Sequence, residues 1–152
     1  VPLYEQLELL KKNKVAVVCG ILSGTLASLT GIFVLCMLFG FNHQQYVTML
    51  PKSITTAIGI GISEELGGIV TITVAVIIIT GILGNVIADT VFHIFKIKNP
   101  LAKGLALGTA SHAIGTARAI EMGPVEGAMS SLAVAVAGLL TVVFVSGFAQ
   151  LI

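Results

Sequence analysis

This chain is short of charge. Asp, Glu, Lys and Arg make up 10% of its 152 residues, where a soluble domain carries about 25%. With 56% hydrophobic residues and a mean hydropathy of +1.06, that deficit excludes a water-soluble globular domain and makes this an integral membrane protein. Aromatics are few (6%), Trp is absent, and the net charge is only +1. Neither a basic run nor an aromatic stacking platform exists, so nucleic acid is excluded as a partner. The two cysteines, Cys19 and Cys36, fall in one expected helix, about 25 Å apart at 1.5 Å per residue. They cannot pair and read as small packed hydrophobes. No zinc spacing, nucleophile elbow, phosphate loop or pair of catalytic carboxylates is present, so no metal, cofactor or enzyme activity is expected.

What the chain has is long apolar runs. Residues 15–41, 69–95 and 125–152 each exceed the roughly 20 residues that cross a bilayer core. Ahead of them, residues 1–14 read as an amphipathic interfacial lead-in. Leu3, Leu7 and Leu10 recur at helical spacing, Glu8 is placed to pair with Lys12, and Lys11, Lys12 and Lys14 gather at the end. The transmembrane domain then covers 15–152. The first span carries Gly20, Ser23, Gly24, Ala27, Ser28 and Gly31, a small-residue stripe suited to close helix packing. Val1 is no initiator Met, so an N-terminal part is expected to be missing.

Two polar segments interrupt the apolar pattern. Residues 51–68 follow a polar turn at Asn42–Gln45 and contain an apolar run of ten residues, Ile54–Ser63, about 15 Å as a helix and half a bilayer. Pro51 suits the first turn of a helix; Glu64 and Glu65 with Gly67-Gly68 stop it. Residues 104–123 gather Thr109, Ser111, His112, Thr116, Arg118 and Glu121 among glycines. Polar groups inside a membrane must find partners in the protein or in a wet cavity, which makes this segment the candidate site. At an offset of 56 residues the two segments match: five of fifteen positions are identical between 55–69 and 111–125. If 51–66 dips in and returns, the lysines before the first span and Lys96, Lys98 and Lys103 share one side, as the positive-inside rule prefers. The expected fold is therefore an all-α polytopic membrane protein with three full spans, two broken or re-entrant half-helix segments, and an inverted repeat of the transporter kind. Full crossing by two broken helices stays open.

The chemistry follows from half-helices and hydroxyls. Helix N-termini attract anions. Thr55, Thr56, Thr109, Ser111 and Thr116 offer hydroxyls, and His112 titrates near neutrality and suits proton coupling. Arg118 either clamps a carboxylate with two parallel bonds or pairs with Glu121. Glu64, Glu65 and Glu121 are coupling or structural acids, Asp89 an interfacial charge, and Glu126 a helix-start cap. The substrate this set fits is a hydroxy- or keto-acid.

The run Gly104–Ala119, with its Ser111-His112-Ala113-Ile114-Gly115-Thr116-Ala117-Arg118 centre, resembles the signature of the LrgB/CidB family. Pro51-Lys52-Ser53-Ile54-Thr55-Thr56, Ile62-Ser63-Glu64 and Gly67-Gly68-Ile69 also match, and the resemblance covers nearly the whole chain. It implies a multi-pass protein of the bacterial inner membrane, either an antiholin-like regulator of murein hydrolase activity and autolysis or a carrier of pyruvate, lactate, glycolate or glycerate. It also implies a small LrgA/CidA-type companion and homo- or hetero-oligomers. Members are longer by about two or three N-terminal spans, so this chain corresponds to the C-terminal two-thirds. Ala57 stands where members typically have proline, which softens the first expected break.

Overall fold

The computed structural model describes residues 6–152, and within them every regular element is helical. Helix α1, Leu7–Lys12, is shorter than the expected lead-in; Leu3 lies outside the described residues. Asn13 breaks the helix, and Glu8 does not pair with Lys12: both ion pairs among the described residues belong to Arg118.

Three helices are long and apolar enough to cross a membrane: α2, Lys14–Phe39; α5, Val70–Ile94; and α7, Pro124–Ala149. The remaining elements are α3, His43–Met49; α4, Thr56–Glu65; and α6, Pro100–Met122. Leu38, Val86, Leu139 and Val143 stand exposed on the long helices. Such an apolar outer surface suits lipid. Gly40, with φ 66°, closes α2 in the left-handed conformation that a side chain resists.

Packing fixes the directions. Val17 and Ile21 of α2 cluster with Ala128, Met129 and Ala133 of α7. At the other end Leu29, Ile32 and Cys36 cluster with Val145 and Ala149. Helices α2 and α7 therefore run parallel, and α5 runs against them.

The two polar segments are helical hairpins entering from opposite ends. Helix α6 is not one rod. Ser111 (φ −129°, ψ 15°) and His112 (φ 43°, ψ −137°) leave helical geometry, and the chain turns back there. A Cβ on Gly115 would lie 2.8 Å from the Leu107 carbonyl oxygen, eight residues away in sequence and about 12 Å along a straight helix. The first arm runs beside α7 in the same sense, with Gly104 against Met129 and Gly108 against Ala133. The second arm runs back, with Thr116 at Ser130 and Ile120 at Gly127. Both bases thus lie at the start of α7 and the tip reaches the middle of the bundle.

Helices α3 and α4 form the other hairpin. At its base, His43 Nδ1 lies 2.7 Å from the Ile152 carbonyl oxygen and Tyr46 Oη donates to Phe148 O at 2.8 Å. At its tip, Ile58 meets Gly138 and Gly59 meets Ile77, both near the middle of their helices. Asn42–Gln45, expected as a bare turn, instead starts α3. The Asn42 side chain accepts from Gln45 N at 2.9 Å while Gln45 Oε1 accepts from Asn42 N at 3.0 Å, which satisfies two orphan donors at once. Pro51 likewise differs from expectation: it lies in the turn joining the arms, and α4 begins only at Thr56. Helix α4 is ten residues long, the half-bilayer length of the Ile54–Ser63 run.

The return into α5 is pinned by buried hydroxyls. Gly67, with φ 75°, makes the turn. Thr48 Oγ1 then accepts from Ile69 N at 2.8 Å, and Thr73 Oγ1 donates to Thr48 O at 2.9 Å and shares a 2.8 Å bond with Ser63 Oγ.

Candidate functional site

The tip of the first hairpin and the first arm of the second border one cleft of about 840 Å³. Gly20, Ser23, Gly24, Ala27 and Ser28 of α2 form one wall. Lys52 and Ser53 come from the first tip, and Leu105, Thr109 and Ala110 from the arm leading to the second. The cleft starts at Ala16 and Asn99, the lysine-bearing end of the bundle, and reaches Lys52 and Ala110. Helix α2 and the second hairpin approach closely because glycine allows it: a Cβ on Gly24 would come within 2.7 Å of Thr109 Oγ1. The small-residue stripe thus packs and lines a cavity at once, except Gly31, which faces open space.

At the second tip His112 and Thr116 are tied to the scaffold. His112 is 3% exposed, and its Nε2 lies 2.9 Å from the Ile77 carbonyl oxygen. Its positive φ is a conformation that costs about 1–3 kcal/mol outside glycine, so neighbouring packing has to hold it. Gly81 makes room for the imidazole and Gly84 for Ser111. Asn85 Nδ2 donates to the Ile114 carbonyl at 3.1 Å. Thr116 Oγ1 donates to His112 O at 3.0 Å and shares a 2.8 Å bond with Ser130 Oγ. Thr109 Oγ1 donates to Leu105 O at 2.8 Å, the usual habit of a membrane threonine.

Ile77, wholly buried, joins the tips: its carbonyl holds His112 and its side chain fills the space beside Gly59. Thr55 and Thr56 stand at the first tip, with Thr55 as the extended residue before α4 and no capping bond from its side chain.

Arg118 lies elsewhere, in the second arm toward its base. One guanidinium nitrogen donates to Glu121 at 2.7 Å and the other to Asp89 of α5. Both acids are exposed. Glu64 and Glu65 are exposed at the end of α4. The six residues grouped on sequence between Thr109 and Glu121 therefore divide: Thr109, Ser111, His112 and Thr116 cluster at the tip, while Arg118 and Glu121 brace the hairpin to α5.

The LrgB-like family matches residues 1–151. This chain belongs to the LrgB family. Among its relatives, the antiholin-like protein LrgB of Bacillus subtilis (strain 168) is 40% identical over 152 residues, covering 100% of this chain and 66% of that protein. The antiholin-like protein LrgB of Bacillus cereus (strain B4264) is 41% identical over 148 residues, 97% of this chain and 64% of that protein; that of Bacillus anthracis (strain CDC 684 / NRRL 3495) gives the same figures. The chain spans about two-thirds of the length of these LrgB relatives. No solved structure matches it.

Within this LrgB-family fold, sequence reasoning missed Ser28, Lys52, Ser53, Asn85 and Ser130 as members of the site. Lys52 carried a signal: it is the single lysine or arginine between Lys14 and Lys96. The others carried none, since a lone hydroxyl or amide in a span does not disclose a partner on another helix.

Proposed function

We propose that this chain is the membrane core of an antiholin-like regulator of murein hydrolase activity and autolysis, and that it acts by carrying a small monocarboxylate across the bacterial inner membrane. The names of its relatives support the first half of that reading. One observation carries the second: two hairpins enter from opposite ends, and the tip of one and the leading arm of the other, as far as Ala110, border a single cleft. Inverted halves with broken helices meeting at the membrane centre are how secondary transporters build a site that each side reaches in turn. In this reading Thr109 lines the path, and Thr55, Thr56, Ser111, His112 and Thr116 shape the two tips. Arg118 with Asp89 and Glu121 fixes the second hairpin, and Glu64 and Glu65 mark the mouth of the first. His112 is the group through which proton coupling would act. A small LrgA/CidA-type membrane protein is the expected companion, in a homo- or hetero-oligomer.

The test pairs two assays on the full-length protein. Cells lacking it should lyse at an altered rate in detergent-induced autolysis and recover on complementation. Vesicles holding it, with and without the companion, should take up labelled pyruvate, lactate or glycolate. Altered lysis with no uptake of any acid would leave the regulator and remove the carrier.

A further inference from the structure

The least explained charge in the molecule is Lys52. It is partly buried at the tip of the first hairpin, on the cleft. Its Nζ donates to Ser53 Oγ at 2.7 Å and to Ser28 Oγ at 3.4 Å, and Ser28 in turn donates to Ser53 at 3.0 Å. Hydroxyls solvate an ammonium without neutralising it. Among the described residues no carboxylate pairs with it, for both ion pairs are made by Arg118. The acids nearest in sequence, Glu64 and Glu65, are exposed at the far end of α4. An uncompensated cation at bilayer depth costs several kcal/mol, so the position calls for an anion.

We propose that Lys52, with Ser28 and Ser53, anchors the charged group of a small organic monoanion in the cleft. One cation with no second beside it matches a single negative charge rather than a dicarboxylate. The rest of the nearby lining, Gly24, Ala27 and Ala110, is small and apolar and suits a short hydrocarbon body rather than an inorganic ion. The hydroxyl pair is oriented before the ligand arrives, since Ser28 and Ser53 already bond each other, which lowers the ordering cost of binding. This assignment rests on the carrier reading above and adds to it the residue that holds the charge.

Equilibrium binding of labelled propionate to the full-length protein in lipid nanodiscs tests it, with propionamide as the neutral isostere. The wild type should bind propionate and not propionamide. Lys52→Gln should weaken propionate at least tenfold, and Lys52→Arg should stay within about threefold. Ser28→Asp keeps the lysine but places a built-in carboxylate beside it, so it should also lose propionate at least tenfold while folding normally. Should Lys52→Gln fail to fold, Ser28→Asp decides alone. Unaltered affinity in Ser28→Asp, or a wild type that binds no propionate, overturns the site. Propionate bound in a Lys52-dependent way but never transported upholds the site and ends the carrier reading. Normal uptake by Lys52→Gln does the reverse.

Discussion

The two hairpins enter from opposite ends and are broken in different ways. The first spreads its break over a turn that contains Pro51 and ends at an extended Thr55. The second concentrates it in Ser111 and His112, the latter held at φ 43°. Their cations differ too. Lys52 sits at a tip and meets only hydroxyls, whereas Arg118 sits toward a base between two acids. A roomy turn leaves space for a solute and for a charge to meet it. A tight turn needs bracing, and the guanidinium with its two acceptors supplies it.

The largest effect expected is all-or-none. In a Cys19→Ala, Cys36→Ala background, a single cysteine at Gln44 should react with an impermeant reagent from outside and one at Lys98 only from inside, because the hairpins enter from opposite ends. Labelling of both from one side would remove the inverted arrangement.

Next comes packing. A Cβ at Gly108 would lie 2.5 Å from the Ser130 carbonyl oxygen and 2.7 Å from Ala133 Cβ, whereas one at Gly61 meets nothing within 4 Å. Gly108→Ala should destabilise by at least the 1–3 kcal/mol of an overpacked core, roughly. Gly61→Ala should gain up to about 1 kcal/mol from helix propensity. Thermal unfolding in detergent reads both, and equal shifts would show that the two hairpins are seated alike.

At His112 the ordinary helix preference should reverse. Alanine normally exceeds glycine by about 1 kcal/mol inside a helix, but a positive φ favours glycine. His112→Gly should therefore be more stable than His112→Ala, by roughly 1 kcal/mol. A more stable alanine variant would mean that α6 runs straight through. The smallest effect belongs to Arg118→Lys, which keeps a cation between two exposed acids. Its melting temperature and propionate affinity should stay close to wild type, and a sharp loss of affinity would make the arginine a ligand rather than a brace.

These sites also mark how far the sequence could be read. Span lengths were legible because hydropathy length decides them, and α5 differs from the expected 69–95 by one residue at each end. The tip at Ser111 and His112 was legible as a polar interruption that hydrocarbon would not tolerate. Its partners were not. Asn85 donates to a carbonyl 29 residues away, and Asp89, read as an interfacial charge, pairs with Arg118 across helices. Periodicity carries no information about such contacts. Pro51 misled because proline suits both a first helical turn and a tight turn. Choosing between them depends on where the chain goes next.

The cleft between α2 and the second hairpin runs from Ala16 and Asn99 to Lys52 and Ala110. Filled with water, it would bring bulk solution halfway through the protein. The membrane voltage would then fall mostly across the remaining half, sharpening the local field on whatever sits at the tips. A full elementary charge crossing 100 mV exchanges about 2.3 kcal/mol with that field. A monoanion released from Lys52 toward the far side would cross most of this drop within about 15 Å, half the bilayer core, so the resting potential would bias its exit.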